Sequence, residues 1–583
     1  MNGYRNIDDS LIAEVYRIIE DAWGELQRSL YVQLRTGHFS TRLPDLSLEE
    51  AQRRGAFGEQ LLVRLSRLPE QQLPHELAIS LRLVRFRAST WANEGKWYWH
   101  VIDPLGTGCF GVFLPTAYCG GWFLNTVRSR LATFAFTQLG DADRYLGLIA
   151  DYARLIDQFT ARTSGQAQRG IYMPKVQVLQ ARGLLSAYRR SAEGAITVAS
   201  DRYDLPSYEG FAAELKQRVR NQIEPAFDRA IVLLSDEYMR SAPDEVGMHQ
   251  YSGGSDLYAD LVKLHTTMDL TPEEVHARGL QRMERIEQSM RQIEADLGFE
   301  NDTVRFRESL ANDPKWRATD EEAITAVFTR YIERLKPRLG EIFFALPESS
   351  YSVAPLSEAL RGSMTFGFYD PPIRERKEGI YYFNPKNLTK KPLYDLGTLT
   401  YHELMPGHHM HFSSQLEDRS LHPFRMNSFV NSYVEGWAEY AATLAGEIGM
   451  YEQPVEQYGR LTMDAFLTSR LVVDTGMNAI GWSLEAAREY MRIHSGMSEA
   501  EISTETIRYS CDIPGQALAY KLGDTEILSM RQRMSDGLGK HFNLKEFHAS
   551  VLKPGALPLT DLAWHIDLET ERLKKQFGLT SSN

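Results

Sequence analysis

The segment TLTYHELMPGHHMHF, residues 398 to 412, places four histidines and one glutamate within fifteen positions. It opens as a helical H-E-x-x-H metal motif does, but Pro406 stands where the second histidine belongs. A zinc ion needs each imidazole nitrogen about 2.0–2.1 Å away. Four residues on a helix rise about 6 Å and stay on nearly one face, which satisfies that need. His408 follows His402 by six residues and His409 by seven. An unbroken helix would hold His402 and His408 about 9 Å apart and turn them away from each other. Proline removes a helical hydrogen bond and clashes with the preceding turn. Glycine at 407 then permits backbone that other residues resist. The Pro406–Gly407 step is therefore expected to unwind the helix after Met405 and swing an imidazole back toward His402. Altered spacing and helix breaker form one feature, with His408 and His409 both open as the second ligand. His411 and whichever of the two is not used are expected beside the site or facing solvent.

Glu403, next to His402, has the chemistry of a general base that takes a proton from activated water. A third ligand is sought downstream in NSYVEGWAEYAATLAGEIG. Tyr433, Trp437, Tyr440 and Leu444 there, with Phe429 just before it, form an apolar stripe. Glu435 lies off that stripe, 27 residues after His408. That length suits a helix, a loop and an antiparallel helix that returns a carboxylate to the ion. Glu439, one turn later, is placed to hold a histidine from behind. A carboxylate-bridged di-iron centre would need Glu-x-x-His pairs, but Glu403 precedes Pro406 at that spacing and Glu435 precedes Ala438. Two imidazoles and a carboxylate suit one Zn2+.

The rest of the chain sets the context. Its 583 residues allow a large core, and its net charge of −12 disfavours nucleic acid as a partner. No apolar run of about 18 residues predicts a membrane span. No secretory signal is read at the N-terminus. The three cysteines form no C-x-x-C pair, so a cytoplasmic setting is expected. Three-and-four spacing of apolar residues predicts helices over SLIAEVYRIIEDAWGELQRSLYVQL, PEEVHARGLQRMERIEQSMRQIEADLG, DEEAITAVFTRYIERLKPRLGEIF and SLEAAREYMRIHSG. Strands are expected at GCFGVFLP and at GIYYFNP, residues 379 to 385. The fold class is thus mainly α, with a small antiparallel β element near the site. The Gly- and Ser-rich segment 241–256 marks a soft boundary. Residues 1–240 are read as a helical region forming one wall of a cleft, and 241–583 as the catalytic region. LPTAYCGGWF and RGIYMPK lack a phosphate-loop pattern and read as packing turns that could face the cleft.

HELMPGHH, EGWAEY, RLVVDTGMNAIGW and RYSCDIPGQALAYKLG, with LYADLVKLHTTMDLTPEEVHARGL and GIYYFNP upstream, resemble the bacterial DUF885 family in content and order. The likeness runs from about Tyr258 to about Pro558. That family resembles helical zinc peptidases with a gluzincin core, akin to the angiotensin-converting-enzyme and thimet-oligopeptidase group. The resemblance implies a helical zinc-metallopeptidase-like fold with a central cleft. It implies His402, His408 and Glu435 as zinc ligands and Glu403 as base. Asn478 stands where the pattern has histidine, and Glu439 where it is commonly apolar.

Related zinc peptidases supply an oxyanion donor from a C-terminal helix, which points to Tyr509 and Tyr520. Arg508 and Lys521 in the same segment, His265 in KLHTTMD, and Tyr382 and Asn384 in GIYYFNP are candidate substrate contacts. GIYYFNP is further expected to offer a free edge to which an extended peptide adds. Arg470 and Asp474 read as a local ion pair. The expected activity is zinc-dependent hydrolysis of a short peptide or other amide. The alternatives are a metalloenzyme of small-molecule metabolism, suggested by Asn478, and a helical binding protein without turnover.

Overall fold

Helices form where the apolar periodicity places them. The computed structural model describes residues 9–579 apart from 117, 197, 199–209, 359–360, 362–364 and 375. Helix α1 (Asp9–Leu26) buries Val15, Ile18 and Ile19. Its predicted continuation breaks and restarts at Leu30, where the Ser29 hydroxyl caps a second short helix. Helices α2 (Leu48–Ser66) and α3 (His75–Trp97) form an antiparallel pair. Helix α4 (Asp141–Ala167) and helix α5 (Gly254–Thr266) follow. Helix α6 (Pro272–Asp296) opens with a reciprocal Thr271–Glu274 capping box and proline in its first turn. Val275, Met283, Ile286 and Met290 face inward, while Leu280 stays exposed. Helix α7 (Glu321–Leu335) follows the third predicted pattern.

Packing does not follow the boundary drawn near residue 241. The largest core joins Ile18 and Leu83 to Phe328, Trp437 and Ile566. A second core joins Tyr152 and Phe227 to Tyr258, Leu518 and Leu522. Each therefore draws side chains from both halves of the chain.

The sheet differs from expectation in two ways. Strands β1 (Ser350–Pro355), β2 (Gly367–Asp370) and β3 (Glu378–Phe383) lie in the order β1-β3-β2. Strand β3 runs parallel to β1 and antiparallel to β2, so the sheet is mixed. Carrying most of GIYYFNP, β3 is the central strand with both edges paired, so it offers no edge to an added peptide. GCFGVFLP forms no strand; Gly111 pairs with Ile102 in an isolated bridge.

The C-terminal half supplies helices α8 (Leu396–Glu403), α9 (His408–Glu417), α10 (Asn431–Glu447), α11 (Pro454–Thr475), α12 (Glu499–Ile507) and α13 (Ala519–Leu538). Helices α10 and α13 touch at glycines. A Cβ on Gly436 would lie 2.6 Å from the Gly523 Cα, and one on Gly523 would lie 2.3 Å from the Ser432 carbonyl oxygen. Only bare backbone on both sides permits this approach, which draws Tyr520 toward Glu435.

Candidate metal centre

Helix α8 ends at Glu403, two residues before the expected break, and α9 begins at His408. The Met405–Pro406 peptide is cis. Gly407 has φ −81°, so its need for glycine is not left-handed backbone. The reason is close approach: a Cβ there would lie 1.9 Å from the His402 carbonyl oxygen and 2.5 Å from that of Tyr401. The turn thus folds back onto the end of α8. Trp437 on α10 holds it by donating its indole N–H to the Pro406 carbonyl at 3.0 Å.

This turn brings His402 and His408 together, with ring centroids 4.8 Å apart and planes at 81°. Glu435 Oε2 lies 3.6 Å from His402 Nε2 and 3.5 Å from His408 Nε2. Those separations are too long for good hydrogen bonds, and this buried oxygen has no hydrogen-bond partner among the described residues. Ligands about 2.0–2.1 Å from a tetrahedral zinc ion stand about 3.3–3.4 Å from one another. Three buried donor atoms at that spacing, two imidazole and one carboxylate, fit a zinc ion.

Of the two histidines left open, His408 is the one whose Nε2 turns toward Glu435. His409 Nδ1 is 2.7 Å from the Tyr369 hydroxyl on β2, and its Nε2 is 2.9 Å from the Ser349 carbonyl beside β1. Both nitrogens are spent on tying α9 to the sheet. His411 Nε2 contacts Gln415 Oε1 at 3.1 Å. Neither histidine faces solvent, and burial pushes their pKa values down to about 4 and about 3. A second group, His75, His565 and Glu569, also gathers donor atoms. There His75 Nε2 and His565 Nδ1 already meet at 2.7 Å in a hydrogen bond.

Behind His402 lies a network of buried charge. His402 Nδ1 contacts Glu439 Oε1 at 2.8 Å. Lys521 Nζ reaches Glu439 at 3.1 Å, Asp464 at 3.2 Å and Asp524 at 2.7 Å. Arg460 approaches Glu439 at 3.5 Å, and Arg282 pairs with Asp464 and Asp524 at 3.0 and 3.3 Å. Burial opposes the charge on Glu439, but Lys521, Arg460 and His402 hold its carboxyl well below the usual range. Burial likewise opposes protonation of His402, yet Glu435 and Glu439 raise its pKa to about 10. The same negative field favours a cation at Nε2. Lys521 is therefore not a substrate contact: its ammonium is fully buried in this network.

Glu403 keeps partial exposure and makes no hydrogen bond among the described residues; burial pushes its pKa up. The Tyr520 ring lies 6.1 Å from the His402 ring, at 11° to its plane. Its hydroxyl also makes no hydrogen bond among the described residues, and the residue is only partly buried. Tyr509 is different. It is fully buried, and its hydroxyl contacts Glu505 and accepts from Arg470 Nε at 2.7 Å. It is a structural tyrosine, not an oxyanion donor.

Other expected contacts also move. Asn384 is buried, accepting from Lys386 N–H and donating to the Arg361 carbonyl, so it does not meet substrate. His265 is 1% exposed, with neither ring nitrogen hydrogen-bonded, and burial pushes its pKa down to about 3. It does not line an open cleft. Tyr382 stays partly exposed against Phe368. Arg470 and Asp474 do not pair. Arg470 meets Glu505 at 3.2 Å, whereas Asp474 accepts from Tyr258, Asn478 and Gly515 N–H. Asn478 is a buried bracket that also accepts from Met248 N–H and donates to the Tyr509 carbonyl.

Arg508 donates to Gln516 Oε1 at 2.6 Å, and its guanidinium carbon lies 4.7 Å from the Tyr118 ring centre. Tyr118, from LPTAYCGGWF, brings the N-terminal half to the site. Sequence reasoning passed over it because an aromatic beside two glycines reads equally as a packing turn.

A protein of Colwellia psychrerythraea, provisionally described as a lipoprotein, has a crystal structure similar to this one. The two are 24% identical with a TM-score of 0.81, covering 97% of this chain and 99% of that one. A Shewanella oneidensis protein, provisionally described as a lipoprotein of unknown function, is 17% identical with a TM-score of 0.71, covering 96% and 99%. These likenesses establish the fold. No helix among the described residues is long and apolar enough to cross a membrane. Comparison with curated proteins returns no match. The family of bacterial proteins of unknown function designated DUF885 matches residues 31–566, and the chain belongs to that family.

Proposed function

We propose that His402, His408 and Glu435 hold one zinc ion and that the protein hydrolyses a peptide or other amide bond. The observation that carries this reading is the unpartnered Glu435 Oε2, 3.5 and 3.6 Å from two imidazole nitrogens, with an unpaired Glu403 alongside. The earlier likeness to helical gluzincin peptidases supports it. A zinc ion bound there supplies Lewis acidity, which polarises a carbonyl and brings the pKa of a water to about 7.

The chain's own groups do the rest. Glu439 holds His402 at Nδ1 and so directs its Nε2 toward Glu435. Glu403 accepts the proton of the attacking water and returns it to the leaving amine. Tyr520 donates its free hydroxyl to the carbonyl oxygen as that atom gains charge. Lys521, Arg460 and Arg282 keep Glu439 ionised and in place.

The test is metal content and turnover together. Zinc-loaded protein should carry one equivalent that His408→Ala removes, and it should cleave members of a short-peptide library. Glu403→Gln should keep the zinc and lose at least about 100-fold in turnover. Full activity in that variant would refute the role of Glu403. Retention of zinc by both His408→Ala and Glu435→Gln would refute the site. The departure at Asn478 lends no support to small-molecule metabolism, since that side chain is buried in backbone and Asp474 contacts.

A further inference from the structure

We propose that the substrate presents a carboxylate to Arg508, within a few residues of the bond to be cut. This rests on the hydrolase reading and adds a substrate class to it.

Two buried guanidiniums, Arg470 and Arg508, share one carboxylate, Glu505, at 3.2 and 3.5 Å. Arg470 Nη1 and Arg508 Nε have no hydrogen-bond partner among the described residues. The next carboxyl, Asp474, forms no ion pair with either and is raised by burial to about 7. A surplus cation in a low-dielectric site is costly unless an anion meets it.

Two hydroxyls stand at the same place. Tyr118 lies under Arg508, and the Tyr520 ring lies 4.6 Å from the Arg470 guanidinium carbon. Neither hydroxyl makes a hydrogen bond among the described residues, and both residues keep partial exposure. The four groups thus offer Arg470 Nη1, Arg508 Nε and two phenol hydroxyls as donors without an acceptor among the described residues, together with excess positive charge. Guanidinium matches a carboxylate in shape as well as in charge.

Position then selects the substrate. The Tyr520 ring touches Arg470 on one contact and His402 on the other, with the latter rings 6.1 Å apart. A residue spans about 3.5 Å of extended chain. An anion held between Arg470 and Arg508, which share Glu505, therefore sits within a few residues of a carbonyl at the metal centre. Peptides cut near a free C-terminus, and N-acyl amino acids, meet that constraint. Internal bonds of long chains do not.

The test compares acids with amides. Zinc-loaded protein is given N-acetyl tripeptides ending in a free carboxylate and the same peptides ending in an amide. The acids should be cut at least about 30-fold faster in kcat/KM, mostly through KM. Arg508→Gln should erase that ratio by slowing the acids, with the zinc content unchanged. Arg508→Lys should restore part of it, which a merely misfolded variant could not. Equal cleavage of acids and amides by the wild type, or an undiminished ratio in Arg508→Gln, overturns the carboxylate pocket and leaves the hydrolase standing. If no peptide is cut, calorimetry with N-acetyl-phenylalanine and its amide reads the pocket directly. Selective binding of the acid that Arg508→Gln abolishes supports the pocket while the hydrolase reading falls. Equal or absent binding of both overturns the pocket.

Discussion

Two clusters of buried charge flank His402, and both draw on helices α11 and α13. On the Nδ1 side, Glu439, Asp464 and Asp524 meet Arg282, Arg460 and Lys521, three acids for three bases. Across the Tyr520 ring, Arg470 and Arg508 meet only Glu505. The first cluster is balanced and encloses a fully buried lysine. The second carries a surplus cation and two free phenol hydroxyls in partly exposed residues. A balanced cluster acts as a scaffold: its three acids and three bases offset one another and it orients a histidine, so it calls for no further charge even though Arg460 Nη1 and Asp524 Oδ1 lack hydrogen-bond partners among the described residues. An unbalanced one is suited to complete itself with something that arrives. Two lysine-or-arginine candidates from one stretch of sequence, Arg508 and Lys521, thus fall on opposite sides of that divide.

The contrast can be tested by removing one cation from each side. Lys521→Met leaves three carboxylates with two guanidiniums and should cost about 3–5 kcal/mol in denaturant unfolding. Arg508→Gln leaves Glu505 paired with Arg470 and should cost about 1 kcal/mol. Equal losses would dissolve the distinction. Next in size, Tyr520→Phe should lower kcat about 100-fold with zinc content and stability unchanged. Tyr509→Phe should do the reverse, losing stability and sparing kcat, because its hydroxyl is spent on Arg470 and Glu505.

A smaller effect is expected at Glu439→Gln. Zinc should still bind at saturation but about 10–100-fold more weakly by competition with a chelator, because the second nitrogen of His402 loses its charged partner. The smallest concerns Asp474, beside the unbalanced cluster. Burial raises its pKa from 3.8 to about 7. The folded state then keeps a proton that the unfolded chain releases. Its contribution to stability is full below about pH 4 and is lost as pH rises through about 7. Asp474→Asn should flatten that slope, by about 2 °C in the Tm difference between pH 5 and pH 7.5.

The amphipathic helices were largely legible in the chain, because apolar periodicity acts over a few residues; the break before Leu30 and its Ser29 cap were not. So was the meeting of His402 and Glu435 with one of the two histidines after the breaker, since a helix breaker and a helix-length return are local facts; which of the two it is was open on the residues and named only through the resemblance. Even there the reason for Gly407 was not legible: it is contact with the His402 carbonyl, not a left-handed φ. What escaped depends on which way a side chain faces once distant elements arrive. Tyr509 and Tyr520 sit eleven residues apart in one motif-rich stretch. Only the approach of α11 and α12 buries one hydroxyl against Arg470 and Glu505 and leaves the other free beside His402. The place of β3 at the centre of the sheet, the anchoring of His409 to β1 and β2, and the arrival of Tyr118 are of the same kind. Local sequence specifies conformation within a few turns; the partner that pairs a strand, neutralises a charge or occupies a ring nitrogen is supplied from hundreds of residues away.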